Sequence, residues 1–233
     1  VNHMYIKKVT ALLDEAKKLH KQDIPVEIEV RIGSIENGTF KAGVPRGRYN
    51  MMMDWFQQSN LTTTGNWTTS IAHFTGKHER CIITKDTPGS VKNIELVEKK
   101  PVGSIILSSN HPEGIALRFC VYTEKPLPNK GTVTTGGMVR YRQRKSYSID
   151  SKGYENTFSF DFTQVWQGTS ERNAKELHRH SKDTRFEIEL ELTNNTYLED
   201  MSSNYLADSI IGKCVSLFQH EMEVGRAFDL TVV

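Results

Sequence analysis

Apolar residues first recur at three- and four-residue steps. Ile6, Val9, Leu12, Leu13, Ala16 and Leu19 lie between lysines, and the spacing predicts an amphipathic helix over residues 4–21 that Pro25 keeps from continuing. The rhythm then changes to alternation. In Val26-Glu27-Ile28-Glu29-Val30-Arg31-Ile32 the apolar and charged side chains fall on opposite faces of a strand. Arg185-Phe186-Glu187-Ile188-Glu189-Leu190-Glu191-Leu192 repeats the device near the other end of the chain. Turn residues Asn37-Gly38 and Pro45-Arg46-Gly47 follow the first of these strands, and residues 49–58, with Met51, Met52, Met53, Trp55 and Phe56, read as a short helix. Beyond it the chain is rich in Thr, Val, Ile and aromatics broken by Gly, Pro and Asn, which predicts strands near 66–74, 77–85, 92–100, 115–124, 138–149 and 154–164. With strands at 26–33 and 184–193 they number about eight. A short helix is expected at 170–178, and a C-terminal one at 205–218 with Leu206, Ile210, Ile211, Cys214, Leu217 and Phe218 on its apolar side.

The same alternation sorts the charges. Arg140, Arg142 and Arg144 share one face of their strand; in the next, Phe158, Phe160 and Phe162 oppose Ser159, Asp161 and Thr163. Between 115 and 124, Ile115, Leu117, Phe119 and Val121 oppose Arg118, Cys120, Tyr122 and Glu124. Near residue 100 the pattern is ambiguous, so either Lys99 or Lys100 joins the polar face, and Arg80 is equally open. For any one such strand the ordinary arrangement is a sheet with its polar face in water. Like charges stacked at every second position repel one another, however, and five carboxylates on two strands with three guanidiniums on another call for counter-charge. A closed barrel inverts the faces: the helices cover its apolar outside and the charges line a tunnel. Such a lining must nearly neutralise itself. Excess carboxylates at one end suit a divalent cation, and arginines suit phosphate oxygens. The fold class expected is mainly β with covering helices, a closed eight-stranded antiparallel barrel, and its ligand a metal-bound polyphosphate.

Composition adds limits. Thirty Lys and Arg against 28 Asp and Glu leave a formal charge of +2 over 233 residues, so no global field advertises nucleic acid or membrane and recognition must be local. Cys81, Cys120 and Cys214 are scattered and without zinc or redox spacing, as reduced thiols of an intracellular protein would be. No apolar run has membrane-spanning length, and neither a signal peptide nor a phosphate-binding glycine loop appears; Gly76-Lys77 has the wrong context. His178 and His180 read as members of a solvated loop. Trp55, Trp67 and Trp166 read as packing residues, and Met51-Met52-Met53 as part of a covering helix. Residues 1–233 are expected to form one domain.

In the order Glu27-Ile28-Glu29-Val30-Arg31, Arg140-Tyr141-Arg142-Gln143-Arg144, Phe160-Asp161-Phe162-Thr163 and Glu187-Ile188-Glu189-Leu190-Glu191, the chain resembles the triphosphate tunnel metalloenzymes. Within them it resembles the metal-dependent RNA 5′-triphosphatases of fungi and large DNA viruses. The resemblance implies Mg2+ or Mn2+ held directly by Glu27, Glu29 and Glu191, with Glu187 and Glu189 completing the site directly or through water. It implies a phosphate clamp of Arg140, Arg142 and Arg144, joined by Arg118, Arg80 and Lys99 or Lys100, with Glu124 orienting the attacking water and Asp161 holding the basic strand in register. Arg31 stands where the bacterial and animal branch has lysine, which favours the RNA-processing branch. Ser159 stands where fungal enzymes often carry a basic residue. The substrate implied is a 5′-triphosphate RNA end, or a nucleoside triphosphate, and the reaction the first step of mRNA capping. A guanylyltransferase domain or subunit is the partner, no membrane is involved, and the setting is cytoplasm or virion. Two other readings stay open: a tripolyphosphatase or NTPase of the same fold, and a barrel that binds RNA or nucleotides without hydrolysing them.

Overall fold

A computed structural model describes residues 4–59, 62–85, 90–128, 137–219 and 228–233. In chain order the elements are α1 (Met4–His20), β1 (Val26–Glu36), β2 (Thr39–Ala42), α2 (Arg46–Gln58), β3 (Thr62–Thr64), β4 (Thr68–Phe74), β5 (Glu79–Lys85) and β6 (Val91–Ser109). They continue with β7 (Ile115–Pro126), β8 (Val139–Ser151), β9 (Tyr154–Gly168), α3 (Glu171–Arg179), β10 (Arg185–Leu192), α4 (Asn195–Asp200), α5 (Ser203–Gln219) and β11 (Leu230–Val232). Antiparallel pairing runs β10-β9-β8-β4-β5-β6-β7-β1, and β1 pairs again with β10, so eight strands close into a barrel. The closing seam is short: Glu29, Val30 and Arg31 oppose Glu191, Leu190 and Glu189. Strands β2, β3 and β11 are additions to β1, β8 and β6.

The barrel strands are the eight expected, with different limits. Strand β6 runs well past residue 100, where the expected strand ended. Pro101 sits at a bulge before Gly103 in the ladder with β7, a place in a sheet that tolerates proline, and pairing with β5 has already ended at Glu98. Gly103 also lies close beneath α1. A Cβ on it would lie 2.5 Å from Leu12 Cδ2, so its bare backbone lets α1 lie against the sheet. Asn37 and Gly38 both adopt positive φ, 49° and 73°, in the two-residue turn joining β1 to β2, as a tight hairpin of this type requires. Helix α4 was not legible as an element; six residues are too few for a periodic signal, although the Asn194 side chain caps it by accepting from the Tyr197 amide.

The apolar core lies outside the barrel, between its wall and the helices. Ile28, Val30 and Ile32 of β1, Phe158, Phe160 and Phe162 of β9, and Ile188 and Leu190 of β10 are buried beneath Leu13 and Ala16 of α1, Tyr49 and Phe56 of α2, and Leu206, Ile210 and Phe218 of α5. The Phe56 ring centre is 4.9 Å from that of Phe160, and Tyr49 meets Phe162 edge-on at 5.5 Å. Burying each such ring contributes about 1.5–3 kcal/mol, which is what holds the inverted faces in place. Helix α3 covers a smaller cluster of Ile71, Val139 and Ala174.

Several surface expectations need correction. His178 is not a loop residue: it lies in α3 with its ring 4.5 Å from Trp166 and 4.8 Å from Tyr141. Trp166 is buried and donates from Nε1 to Thr184 Oγ1 at 2.9 Å, but Trp55 and Trp67 are 53% and 45% exposed rather than packed. Of the methionine run, Met52 enters the core and Met51 faces solvent. All three cysteines are free and buried. No helix among the described residues is long and apolar enough to cross a membrane.

Candidate active site

Register carries the charged positions to one side of the wall. Residues opposite one another in a ladder share a face, and the pairs Glu29 with Glu191, Arg31 with Glu189, Glu189 with Asp161, Arg144 with Thr163, Ser70 with Arg142 and Lys99 with Glu124 link the strands. The outer face being apolar, this shared face is the inside. There a cavity of about 200 Å³ is lined by six carboxylates, Glu27, Glu29, Glu124, Glu187, Glu189 and Glu191. Six cations face them, Arg31, Arg80, Lys99, Arg140, Arg142 and Arg144, and Ile82 completes the lining. The formal charges cancel, as an enclosed lining requires.

Most of these charges are interlocked. Lys99 Nζ lies 2.6 Å from Glu27 Oε2 and 3.4 Å from Glu29 Oε2, and sits 4.2 Å above the Tyr122 ring. Arg31 Nε is 2.7 Å from Glu29 Oε1 and 3.1 Å from Glu189 Oε1, so it bridges β1 to β10. Arg144 uses all three arms: Nε donates to Thr163 Oγ1 at 3.0 Å, Nη1 to Asp161 Oδ2 at 2.7 Å and Nη2 to Glu189 Oε2 at 3.1 Å. Behind it the Ser159 hydroxyl donates to Asp161 Oδ1 at 2.7 Å. Arg140 Nη2 meets Glu187 Oε1 at 2.5 Å. Burial alone would raise the Glu189 pKa, but Arg31 and Arg144, helped by Lys99 and Arg140, outweigh it and hold the carboxyl down to about 2. Glu29 moves the other way, raised first by burial and then by Glu189.

Several groups of the lining have no ion pair among the described residues. Glu191 makes no hydrogen bond or ion pair among the described residues, and burial, then Glu27 and Asp161, push its pKa up to about 8. Arg142 touches no carboxylate among them either. Its one polar contact is from Nε to Ser70 Oγ at 3.1 Å, and burial, then Arg144 and Arg140, bring it down to about 9. Arg80 also lacks a carboxylate partner among the described residues and lies over the Phe74 ring. The cavity is therefore neutral in sum and unsatisfied at both signs, an arrangement that favours a ligand carrying a polyanion together with a cation.

The structure divides the predicted site residues. Glu27, Glu29, Glu124, Glu187, Glu189, Glu191, Arg31, Arg80, Arg140, Arg142 and Arg144 line the cavity, and of the two lysines Lys99 does so. Lys100 does not: the pleat of β6 turns it outward, where its side chain is 53% exposed and pairs with Glu98 at 2.8 Å. Arg118 has the inward parity of its register partner Arg31 but is drawn out of the lining. Its Nε donates to Cys120 Sγ and its Nη2 to Tyr122 Oη, both at 3.2 Å, under the Phe40 ring of β2. Asp161 lies behind Arg144 rather than in the lining.

The three glutamates expected as direct metal ligands, Glu27, Glu29 and Glu191, all line the cavity. Among the described residues no three His, Cys, Asp or Glu are gathered closely enough to hold a metal ion as the side chains stand, because Lys99 and Arg31 draw Glu27 and Glu29 to themselves. The donor set still fits one chemically: Glu29 and Glu191 are register partners on adjacent strands, and Glu191 offers hard oxygen donors short of positive charge. Sequence reasoning missed Ser70, Ile82 and the place of Tyr122 under Lys99. An uncharged hydroxyl or a single apolar residue on a polar face gives no signal until its neighbours are known.

In sequence, the chain matches no family model and no curated protein. Solved structures do match. The RNA triphosphatase Pct1 of S. pombe aligns over 92% of this chain and 92% of its own at 14% identity, with a TM-score of 0.63. The same enzyme in complex with the Spt5 CTD aligns over the same shares at 14% identity and a TM-score of 0.65. The RNA triphosphatase domain of a trifunctional mimivirus mRNA capping enzyme covers 88% of this chain and 95% of its own at 16% identity and a TM-score of 0.48. At such identities the likeness is one of fold.

Proposed function

The chain has the triphosphate-tunnel fold of an RNA triphosphatase, and we propose that it is a metal-dependent polynucleotide 5′-triphosphatase, residues 1–233 forming one domain that converts 5′-triphosphate RNA and water to 5′-diphosphate RNA and phosphate. One observation carries this reading: an enclosed, formally neutral cavity in which Arg142 lacks an anion and Glu191 lacks a cation. A linear chain of phosphates accompanied by a divalent ion supplies both.

In this reading Arg142, with Arg80 and Arg140, neutralises charge growing on the γ-phosphoryl oxygens, and Arg144 stays fixed by Asp161, Thr163 and Glu189. Glu124, the register partner of Lys99, orients the attacking water and takes its proton. The bond from the γ-phosphorus to the bridging oxygen breaks as the bond to water forms, and the diphosphate end leaves. Mg2+ or Mn2+ would be held by Glu27, Glu29 and Glu191, with Glu187 and Glu189 beside them. When bound, it adds positive charge at the phosphoryl oxygens. A capping guanylyltransferase, as a further domain or a subunit, is the partner proposed, and an intracellular setting suits three free, buried thiols.

A second reading keeps the chemistry and changes the substrate to a nucleoside triphosphate or tripolyphosphate. Its tripolyphosphate form is favoured by the lining itself, in which, among the described residues, twelve charged side chains and one isoleucine offer no aromatic platform for a base. The deciding experiment measures phosphate release from γ-labelled triphosphate RNA, ATP and tripolyphosphate with magnesium or manganese, using Glu29→Ala and Glu189→Ala as controls. Release from none of the three rejects the enzyme reading, and undiminished release by both variants rejects this site.

A further inference from the structure

The three arginines of β8 are held differently. Arg144 has a partner on every nitrogen-bearing arm, so only one hydrogen on each terminal nitrogen is left to meet a phosphate. Arg140 spends Nη2 on Glu187, and its Nε is buried without a hydrogen-bond partner. Arg142 is anchored at Nε alone, by a neutral hydroxyl, and both of its terminal nitrogens are uncommitted among the described residues.

That hydroxyl belongs to Ser70, directly opposite Arg142 on β4. A guanidinium is planar and presents two usable edges, one shared by Nε and a terminal nitrogen and one shared by the two terminal nitrogens. With Nε on Ser70 Oγ, the second edge is the one left for a bidentate oxyanion. A carboxylate at the same place would neutralise the arginine, whereas a serine fixes its plane and leaves its charge unspent. The anchor is needed because Arg140 and Arg144 repel Arg142 from either side along the strand.

Resting on the triphosphatase reading above, we propose that Ser70 is a positioning residue, acting through Arg142 to aim its terminal edge at a phosphate of the bound polyphosphate chain. The probe is the β,γ-imido analogue of ATP with magnesium, titrated calorimetrically into wild type, Ser70→Ala, Ser70→Thr, Ser70→Val, Arg142→Ala and the Ser70→Ala/Arg142→Ala double variant, each checked by thermal melting. A hydrogen bond to a charged group sets the expected effect: dissociation constants rise roughly 10-fold in Ser70→Ala and in Ser70→Val. Ser70→Thr, which keeps the acceptor, stays within roughly 2-fold of wild type, and Ser70→Ala adds nothing once Arg142 is gone. The Thr and Val variants share a shape, so their difference reports the acceptor rather than folding. If Arg142→Ala loses binding while Ser70→Ala and Ser70→Val bind like wild type, or if Ser70→Ala weakens the Arg142→Ala background by the same factor, the role of Ser70 is overturned and the phosphate site stands. If the wild type does not bind the probe, both readings fall together.

Discussion

Replacing Glu191 by glutamine should stabilise the metal-free protein at neutral and alkaline pH. The carboxyl sits inside the wall without an ion pair among the described residues, and burial, then Glu27 and Asp161, outweigh Arg144 and carry its pKa from the ordinary 4.5 to about 8. An acid whose pKa is raised on folding binds its proton more tightly in the folded state, so its contribution falls as pH climbs from 4.5 to about 8 and is flat above. At about 1.4 kcal/mol per pH unit, ionising Glu191 costs the fold on the order of 3–5 kcal/mol above that window. Glutamine keeps the shape and removes the charge. Urea denaturation in chelator at pH 4, 5, 6, 7, 8 and 9 should give coincident stabilities for parent and Glu191→Gln at pH 4, and a variant ahead by a few kcal/mol at pH 9. Some slope will persist in the variant, since Glu29 is raised as well. Glu189 moves oppositely and titrates below this window: held down to about 2, it supports the fold above 4.5 and withdraws that support as pH drops toward 2. Parallel curves, or a variant weaker than its parent at pH 9, would refute the reasoning.

Asp161→Ala leaves the Arg144 guanidinium inside the wall with a carboxylate removed, and should cost about 3–5 kcal/mol in urea denaturation; Ser159→Ala, which removes only the hydroxyl behind it, should cost about 1 kcal/mol. Arg142→Ala should lower kcat/KM for phosphate release by roughly 100-fold or more, while Lys100→Ala, on the outer face, stays within about 2-fold in the same assay. Gly103→Val presses a side chain into Leu12 and should lower stability by about 1–3 kcal/mol without changing the affinity for a polyphosphate, a pairing that melting and calorimetry test together.

The barrel could be read from the chain because its strands alternate cleanly where their two faces differ most. In β10, in Val26–Ile32 of β1 and in Phe158–Phe162 of β9 every second residue is apolar or aromatic and the positions between carry Glu, Arg, Ser or Asp, while β8 sets Val139, Tyr141, Tyr147 and Ile149 opposite Arg140, Arg142 and Arg144 and breaks that face only at Gln143 and Lys145. That the charged face turns inward follows from charge balance and three helical periodicities, not from any one strand. Legibility fails where alternation does. Glu98, Lys99 and Lys100 are consecutive charges ahead of a bulge, so parity there is set by pairing of β6 with β7 and cannot be counted along the chain. Arg118 has the correct parity, yet its direction depends on Phe40 and Tyr122, brought to it by other strands. The polarity of the 178–182 segment hid a histidine packed against two aromatic rings. Ser70 carries no charge to mark it, although it makes the one polar contact of Arg142.

The three-pair seam between β1 and β10 has a kinetic consequence. It joins Glu29 to Glu191, positions about 160 residues apart, so of the eight barrel ladders it closes the longest loop of chain and is expected to form late. Shutting it brings like charges face to face, so added salt should accelerate the last step of refolding even where it weakens the bridges that afterwards keep the seam shut.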